Sequence, residues 1–315
     1  MTALEHNTKL FAEWLTARGI RSSIPPVSSQ TEILPILGDL WGYGYNPSII
    51  RYDGKILMAY RWHSEGNLET ALAMVELDEA GVVLSKSDIK VERRDGSAED
   101  PRLFVFQDEL YCAWVHSNSP DRPMACQMNY GRLIWQDGEW LLKGWKMQTN
   151  AGGALEKNWV PFPGTVLNFI YRQQPVQIIL QFIEGQVVHE LDSPGPTWAW
   201  GEIKGGTTPM PYQGQLLRFF HSTLDNEPPP WRRRYYVGAA LMKPEAPFET
   251  IKVSREPILR GSEVCDLSPS ECGHYKGNVI FPAGAIVHGD GCLVSLGIND
   301  CQCVLAKIKP EQLRL

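Results

Sequence analysis

The sequence predicts an all-β protein, specifically a five-bladed β-propeller that follows a helical N-terminal segment. First, the 28 glycines and 23 prolines are spread along all 315 residues, as many short strands joined by tight turns require. Second, apolar and polar residues alternate in runs of five to eight after the first 30 residues. Third, a hairpin-like segment occurs five times, and five such units predict five blades.

The N-terminal segment is the one stretch with a helical pattern. Leu10, Phe11, Trp14 and Leu15 recur at helical spacing, and Gly19 followed by prolines ends the pattern. We therefore divide the chain into a helical extension over residues 1–30 and a five-bladed propeller domain over residues 31–315. The helix either caps the propeller or mediates contacts in a homo-oligomer.

Each of the five repeated segments has a proline near its start, an apolar strand, a turn and a second, more aromatic strand. The prolines are Pro47, Pro101, Pro161, Pro209 and Pro282. The turns are predicted at Asp53-Gly54, Gln107-Asp108, Pro163-Gly164, Gln213-Gly214 and Asp290-Gly291. The intervals of 54, 60, 48 and 73 residues between the prolines are close to the period of a four-stranded blade, about 40–50 residues.

Composition excludes several classes of protein. The net charge of −6 argues against binding to nucleic acid, which needs a basic surface. No apolar run approaches the roughly 20 residues of a membrane helix, and the charged N-terminus is unlike a secretory signal. Seven cysteines, an odd number, favour a reducing cytoplasm and free thiols. Cys301 and Cys303 share a strand pattern without a C-x-x-C pair, so we predict buried thiols and no metal site.

The repeats predict where a functional site lies. The start of the first strand and the end of the second meet at one edge of a hairpin, and the innermost strands of a propeller surround its axis. Polar residues at these positions are therefore expected to converge: Tyr45, Asn46, Glu99, Asp100, Lys157, Asn158, Thr207, His63, His116, Arg172, His221, Asn299 and Asp300. They form either an active site or a set of turns kept polar for solubility.

Six pieces of sequence carry a resemblance to a known family: YNPS (45–48), EDPR (99–102), EKNWVPF (156–162), GGTTP with FFHS (205–222), YYVGAAL (235–241), and FPAG with LGIND (281–300). In these the chain resembles glycoside hydrolase family 130, five-bladed propellers that act on β-mannosides by phosphorolysis or hydrolysis. The resemblance spans roughly residues 40 to 308. It departs in LGIND, where the family usually reads closer to YGAAD.

The resemblance implies a role for each matching residue. Asp100 corresponds to the general acid. The residues expected to bind inorganic phosphate are Lys157, Arg172, His221, and Tyr235 or Tyr236. Those expected to bind the sugar are Tyr45, Asn46, Arg102, Asn158 and Asp300. Phosphate is a co-substrate in this reading, and neither a metal nor an organic cofactor is expected.

The chemistry leaves several reactions open. Inversion needs an acid on the leaving oxygen and a nucleophile on the opposite face of the sugar. Phosphate as nucleophile needs cations to hold it and releases mannose 1-phosphate, whereas water needs a second carboxylate, for which Glu99, Glu202 and Glu271 are candidates. Arg102 is not expected to lower the pKa of Asp100. We favour phosphorolysis; the alternatives are an inverting β-mannosidase, a β-mannosyltransferase, or a non-catalytic propeller that binds a glycan.

Overall fold

Antiparallel strands make up most of the chain. The computed structural model describes residues 31–65, 69–92, 96–119, 122–147, 156–225, 233–264 and 278–315. The predicted all-β architecture is confirmed, while the helix predicted within residues 1–30 lies outside the described residues. Within the described part, no helix has the length and apolar character needed to cross a membrane.

The strands fall into five consecutive groups, or blades, numbered here in chain order. Blade 1 contains β2 (Tyr43–Tyr52), β3 (Lys55–His63), β4 (Ala71–Leu77) and β5 (Val83–Val91). Blade 2 contains β6 (Ser97–Phe106), β7 (Glu109–Ser119), β8 (Arg122–Gln136) and β9 (Glu139–Lys146). Blade 3 contains β10 (Val160–Phe162), β11 (Leu167–Arg172), β12 (Val176–Ile183) and β13 (Gln186–Pro194).

Blades 4 and 5 are less regular. Blade 4 contains β14 (Glu202–Gly206), β15 (Met210–Tyr212), β16 (Gln215–Asp225), β17 (Arg233–Met242), β18 (Thr250–Val253) and β19 (Leu259–Arg260). Blade 5 contains β20 (Ile280–His288), β21 (Gly291–Ile298), β22 (Gln302–Ile308) and, at its outer edge, β1 (Glu32–Pro35). Two short 3₁₀ helices occupy Gly261–Glu263 and Pro310–Leu313.

The first strands of the blades surround a common axis. Strand β2 contacts β6 and β20, strand β6 also contacts β10 and β20, and β14 contacts β20. The ring closes because β1 pairs with β22, with Leu34 opposite Leu305, so that strands from both ends of the described chain share one blade. This is the five-bladed propeller that the repeats predict. Blades 1 and 2 are further joined by parallel pairing of β5 with β9, with Ile89 opposite Trp140.

The hairpin turns lie where the sequence predicts them in the first, second and fourth repeats, whereas the third connection is a four-residue loop, 163–166, that includes the predicted Pro163-Gly164. In the first, Asp53 and Gly54 both take positive φ, 49° and 71°, as a tight two-residue hairpin requires. The fifth turn was predicted one residue late, because Gly289 and Asp290 form the turn and Gly291 already pairs with His288. Gly289 supplies the positive φ of 59° at that turn.

The core lies between neighbouring blades, where apolar side chains of facing sheets interlock. Phe219 of blade 4 packs in one cluster with Leu296 of blade 5. Tyr60 of blade 1 shares another with Leu305 of blade 5. The inner strands are mostly buried and apolar, whereas outer strands such as β5 and β13 expose many polar residues, so a polar side chain buried in an inner strand is a candidate for function.

Candidate active site

A β-bulge with a left-handed residue marks the first strand of blades 1 and 2. Asn46 has φ 50° and Asp100 has φ 51°. The pairing register shifts between Tyr45 and Ser48, and correspondingly beside Asp100 in β6. Few residues other than glycine adopt this conformation, but Asn and Asp tolerate it because their short polar side chains bond locally. A bulge redirects side chains, and here it brings Asn46 and Asp100 together across two blades.

Asp100 is the centre of the site. It is 8% exposed, and its Oδ1 accepts hydrogen bonds from Asn46 Nδ2 at 2.8 Å and Arg61 Nη1 at 3.4 Å. Burial opposes ionisation, but the charge of Arg61, the bond from Asn46, and the charges of Arg102 and Lys157 outweigh it. The pKa of Asp100 is therefore held below its usual value, and the unliganded site contains a carboxylate.

Arg61 interacts with several acidic groups of the site. Its Nη2 lies 3.2 Å from the carboxylate of Glu99, and its guanidinium lies 4.9 Å from the centre of the Tyr45 ring. Burial opposes the charge of Arg61, but the carboxylates of Glu99, Asp100 and then Asp300 favour it, and the pKa is raised. For Tyr45, burial itself raises the pKa, so the hydroxyl stays protonated. Asp300 thus belongs to the same cluster, as the repeats predicted.

Arg102 is a fully buried cation behind Asp100. Its Nε donates to the Gly206 carbonyl at 3.1 Å, and its Nη1 donates to the backbone carbonyl of Asp100 at 3.3 Å. Its guanidinium lies 5.3 Å from the ring centre of Phe281. Burial lowers its pKa to about 10, which still leaves it charged at neutral pH. The expectation that Arg102 leaves the pKa of Asp100 alone was wrong, because its buried charge acts on that carboxyl.

His221 is neutral in this environment. It is 2% exposed, its ring packs 4.8 Å from Phe281, and it hydrogen-bonds the Gly205 backbone. Burial, followed by the nearby charge of Arg102, lowers its pKa to about 3. His221 therefore offers hydrogen bonds but no positive charge, so phosphate binding by this residue would not be cationic.

The two adjacent tyrosines of β17, Tyr235 and Tyr236, lie on opposite sides of the strand. Tyr235 stacks on His221 with ring centres 6.1 Å apart. Tyr236 points to the other side of the strand, where its ring lies 5.3 Å from Trp200. Adjacent residues of a strand face opposite ways, so only one of them can accompany His221. Of the two, Tyr235 is the one that lies beside His221.

Blade 3 supplies the remaining predicted residues. Lys157 is exposed, and its charge acts on Asp100. Asn158 takes φ 66°, and its carbonyl lies so close to Gly205 that a β-carbon there would be 2.2 Å away. Arg172, at the end of β11, is exposed, and its charge acts on Tyr171. The structure thus gathers Lys157 and Asn158 near the site, whereas for Arg172 it shows an exposed side chain at the end of β11 beside Tyr171.

Sequence reasoning missed Arg61. The repeat pointed to His63 as the polar residue ending β3, but Arg61 is the residue opposite Tyr45 in the hairpin register. A charged residue inside the aromatic run LMAYRW was an available signal, because a charge is seldom buried without a partner. Glu99 was expected among the converging residues and as a candidate base for hydrolysis, and the structure makes it the second anionic partner of Arg61.

The cysteines are partly as predicted. Cys112, Cys126, Cys292 and Cys303 are free, but Cys301 is disulfide-bonded, so the free thiol expected there was wrong. Among the described residues, no group of three or more His, Cys, Asp or Glu side chains is arranged to hold a metal ion.

Comparison with known families identifies this arrangement. The model of a family described as β-1,4-mannooligosaccharide phosphorylase matches residues 42–314. The chain belongs to glycoside hydrolase family 130. Family 130 comprises mannoside phosphorylases and hydrolases, so the protein is a mannoside-active enzyme of this type. No curated protein sequence matches the chain.

Solved structures of family 130 share the fold at low identity. A β-1,2-mannobiose phosphorylase from Listeria innocua has a TM-score of 0.61 and 14% identity, covering 91% of this chain and 93% of its own. A mannose phosphorylase from Leishmania mexicana, bound to phosphate, has a TM-score of 0.59 and 14% identity, covering 98% and 94%. A third, described with hydrolases that target β-1,2-mannosidic linkages in Candida mannan, has a TM-score of 0.55 and 15% identity, covering 92% and 93%. At such identity the likeness establishes the propeller.

Proposed function

We propose that this protein is a mannoside phosphorylase, which cleaves a β-mannosidic bond with inversion and releases mannose 1-phosphate. One observation carries the proposal. The buried carboxylate of Asp100, hydrogen-bonded by Asn46, lies within electrostatic reach of the solvent-exposed amine of Lys157. A buried proton donor beside an accessible cation is what attack by an anionic nucleophile requires.

In the proposed reaction a phosphate oxygen attacks the anomeric carbon, the bond from that carbon to the glycosidic oxygen breaks, and Asp100 supplies a proton to the leaving oxygen. The proton passes directly or through a sugar hydroxyl. The low pKa of Asp100 means that this carboxylate must first gain the proton. Arrival of a phosphate dianion favours this, because a nearby negative charge raises the pKa of a carboxyl group. Phosphate then serves as both nucleophile and the charge that prepares the acid.

The proposed roles of the other side chains follow from their charge and exposure. Lys157 and Arg172 are exposed cations suited to phosphate, and the neutral His221 with Tyr235 adds hydrogen bonds. The sugar is assigned to the cluster around Asp100, made of Tyr45, Asn46, Arg102, Asn158 and Asp300. Phosphate is the co-substrate, and the reaction needs neither metal nor organic cofactor. The charged product would be retained inside a cell, in keeping with a cytoplasmic location.

Two similar structures support phosphorolysis, since one is a phosphorylase in complex with β-1,2-mannobiose and another holds a phosphate ion. Hydrolysis is the second candidate, and a specific observation favours it. Glu99 and Asp100 share Arg61, at 3.2 and 3.4 Å, so two carboxyl groups lie in one site. An inverting hydrolase needs such a pair, one as acid and one as base.

The test is release of phosphate from mannose 1-phosphate with a panel of mannose, glucose and N-acetylglucosamine acceptors. We expect release that depends on an acceptor and is lost in Asp100→Asn, with the folded state retained. Asp192→Asn, which alters an exposed carboxylate of β13, is the matched control and should keep full activity.

Other outcomes identify the alternatives. Cleavage of β-mannosides in phosphate-free buffer, abolished by Glu99→Gln as well as Asp100→Asn, would establish a hydrolase. Turnover with nucleotide-sugar donors only would establish a mannosyltransferase. Mannoside binding that survives Asp100→Asn, without turnover under any of these conditions, would leave a binding module.

A further inference from the structure

A second groove lies between blades 1 and 2, far from Asp100. Its volume is about 510 Å³, and its aromatic wall is formed by Trp135 and Trp140. These two residues are directly opposite each other in the β8–β9 hairpin, with ring centres 5.2 Å apart and planes inclined at 62°. Trp135 is 55% exposed, although cross-strand pairing with Trp140 would allow an indole to be largely covered.

The groove is separate from the active site. Its lining includes Tyr52 and Asp53 at the β2–β3 turn, and Glu109 after the β6–β7 turn. Asn46 lies at the other end of β2, six residues from Tyr52, and a strand rises roughly 3.3 Å per residue. About 20 Å of strand therefore separates the groove from the residues that hold Asp100.

The polar wall of the groove is charged but balanced. Two of its cations form ion pairs across neighbouring strands, Lys55 with Glu76 at 2.8 Å and Arg132 with Glu109 at 2.6 Å. The third, Lys86, pairs at 2.7 Å with Asp39, which lies in the loop before β2 and outside the lining, and the lining itself contributes the further carboxylate of Asp53. Ser85 and Ser87 add hydroxyl groups. Such a wall offers many hydrogen-bond donors and acceptors without a surplus of either charge. It suits a neutral ligand rich in hydroxyl groups and gives no advantage to nucleic acid or a phosphorylated compound.

We propose that this groove is a non-catalytic binding site for a neutral oligosaccharide. The exposed indole of Trp135 covers the apolar face of a sugar ring, and the paired charges bond the hydroxyls at its edge. This goes beyond the proposed function, and only the choice of β-mannan as first probe rests on it. A groove about 20 Å from the acid would hold a polymer on the enzyme without occupying the site of cleavage.

Affinity electrophoresis through gels that contain β-mannan or β-glucan tests the proposal. All variants carry Asp100→Asn, so that turnover does not degrade the polymer. Trp135→Ala should lower the apparent affinity for the polymer, measured from the retardation, about tenfold. This is the loss expected when a single stacking ring is removed. Trp135→Tyr should keep most of the binding, because an aromatic face remains. Ile183→Ala is the matched control, since it removes a 53% exposed apolar side chain from the β12–β13 hairpin.

Two further measurements complete the test. In the otherwise unaltered enzyme, Trp135→Ala should leave kcat on a short mannoside unchanged, which separates the groove from the active site. Equal retardation of Trp135→Ala and the parent, or no retardation in either gel, overturns the proposal. So does a change of molar mass on Trp135→Ala in light scattering, which would make the groove a contact between copies of the chain. Retardation that depends on Trp135, with either polymer, but without mannoside turnover would support the groove as a binding site and contradict the proposed function.

Discussion

His221 makes the stability of this protein depend on pH in a calculable way. Burial lowers its pKa from 6.5 to about 3, so the folded protein keeps the imidazole neutral where the unfolded chain protonates it. The stability that His221 contributes is therefore complete above pH 6.5 and is lost as the pH falls from 6.5 toward 3. With these two values the loss between pH 8 and pH 5 comes to about 2 kcal/mol.

The perturbation is His221→Phe, which keeps an aromatic ring against Phe281 and Tyr235 but cannot be protonated. The variant loses the bond to Gly205 at every pH, a roughly constant cost of about 1 kcal/mol or more. The part that depends on pH disappears. In urea denaturation followed by fluorescence, we compare the free energy of unfolding of wild type with that of the variant. The wild-type value minus the variant value should therefore fall by about 2 kcal/mol from pH 8 to pH 5.

His189→Phe is the control, because His189 is exposed on β13 and its replacement should leave the wild-type pH dependence unchanged. An independent check is a histidine NMR titration, in which the ring signal of His221 should stay at its neutral position down to pH 4. The reasoning would be refuted if the difference in free energy of unfolding between His221→Phe and wild type did not change with pH. The native imidazole would then titrate like one in water.

Three further predictions concern buried polar groups. Arg218 is fully buried; its Nη2 donates to Gln173, but its Nε and Nη1 have no hydrogen-bond partner among the described residues. Because the cost of burying this charge outweighs the one bond to Gln173, Arg218→Met should raise the free energy of unfolding by about 1–4 kcal/mol in urea, and a decrease would show that the guanidinium stabilises the fold. Gly297→Ala would place a β-carbon 2.1 Å from Asn46 Oδ1, and should cost about 1–3 kcal/mol in thermal unfolding and lower kcat. Asn46→Ala removes the 2.8 Å bond to Asp100, so it should destabilise the protein by about 1.5–3 kcal/mol and, at saturating phosphate and mannoside, move the basic limb of the kcat profile to higher pH; an unmoved limb would contradict the assigned role of Asp100.

Local signals in the sequence were enough to predict the blades. The first hairpin was predictable because Asp53-Gly54 accepts the positive φ of a tight turn, and the flanking residues alternate with the period of a strand. Asn46 and Asp100 were identified by their place before a proline in each repeat. Their left-handed backbone also explains why Asn and Asp occur there. These properties involve neighbours in the chain, and they therefore appear in the sequence.

The chemical state of the site was decided by tertiary structure. Asn46 and Asp100 are 54 residues apart, and Arg102 bonds a carbonyl 104 residues away, so neither the ionisation of Asp100 nor that of His221 follows from local sequence. Burial and distant charges determine these pKa values, and both arise only when blades meet. The sequence by itself determined the all-β repeat and the residues available for catalysis; the closed ring decided which of them meet and which carry charge at neutral pH.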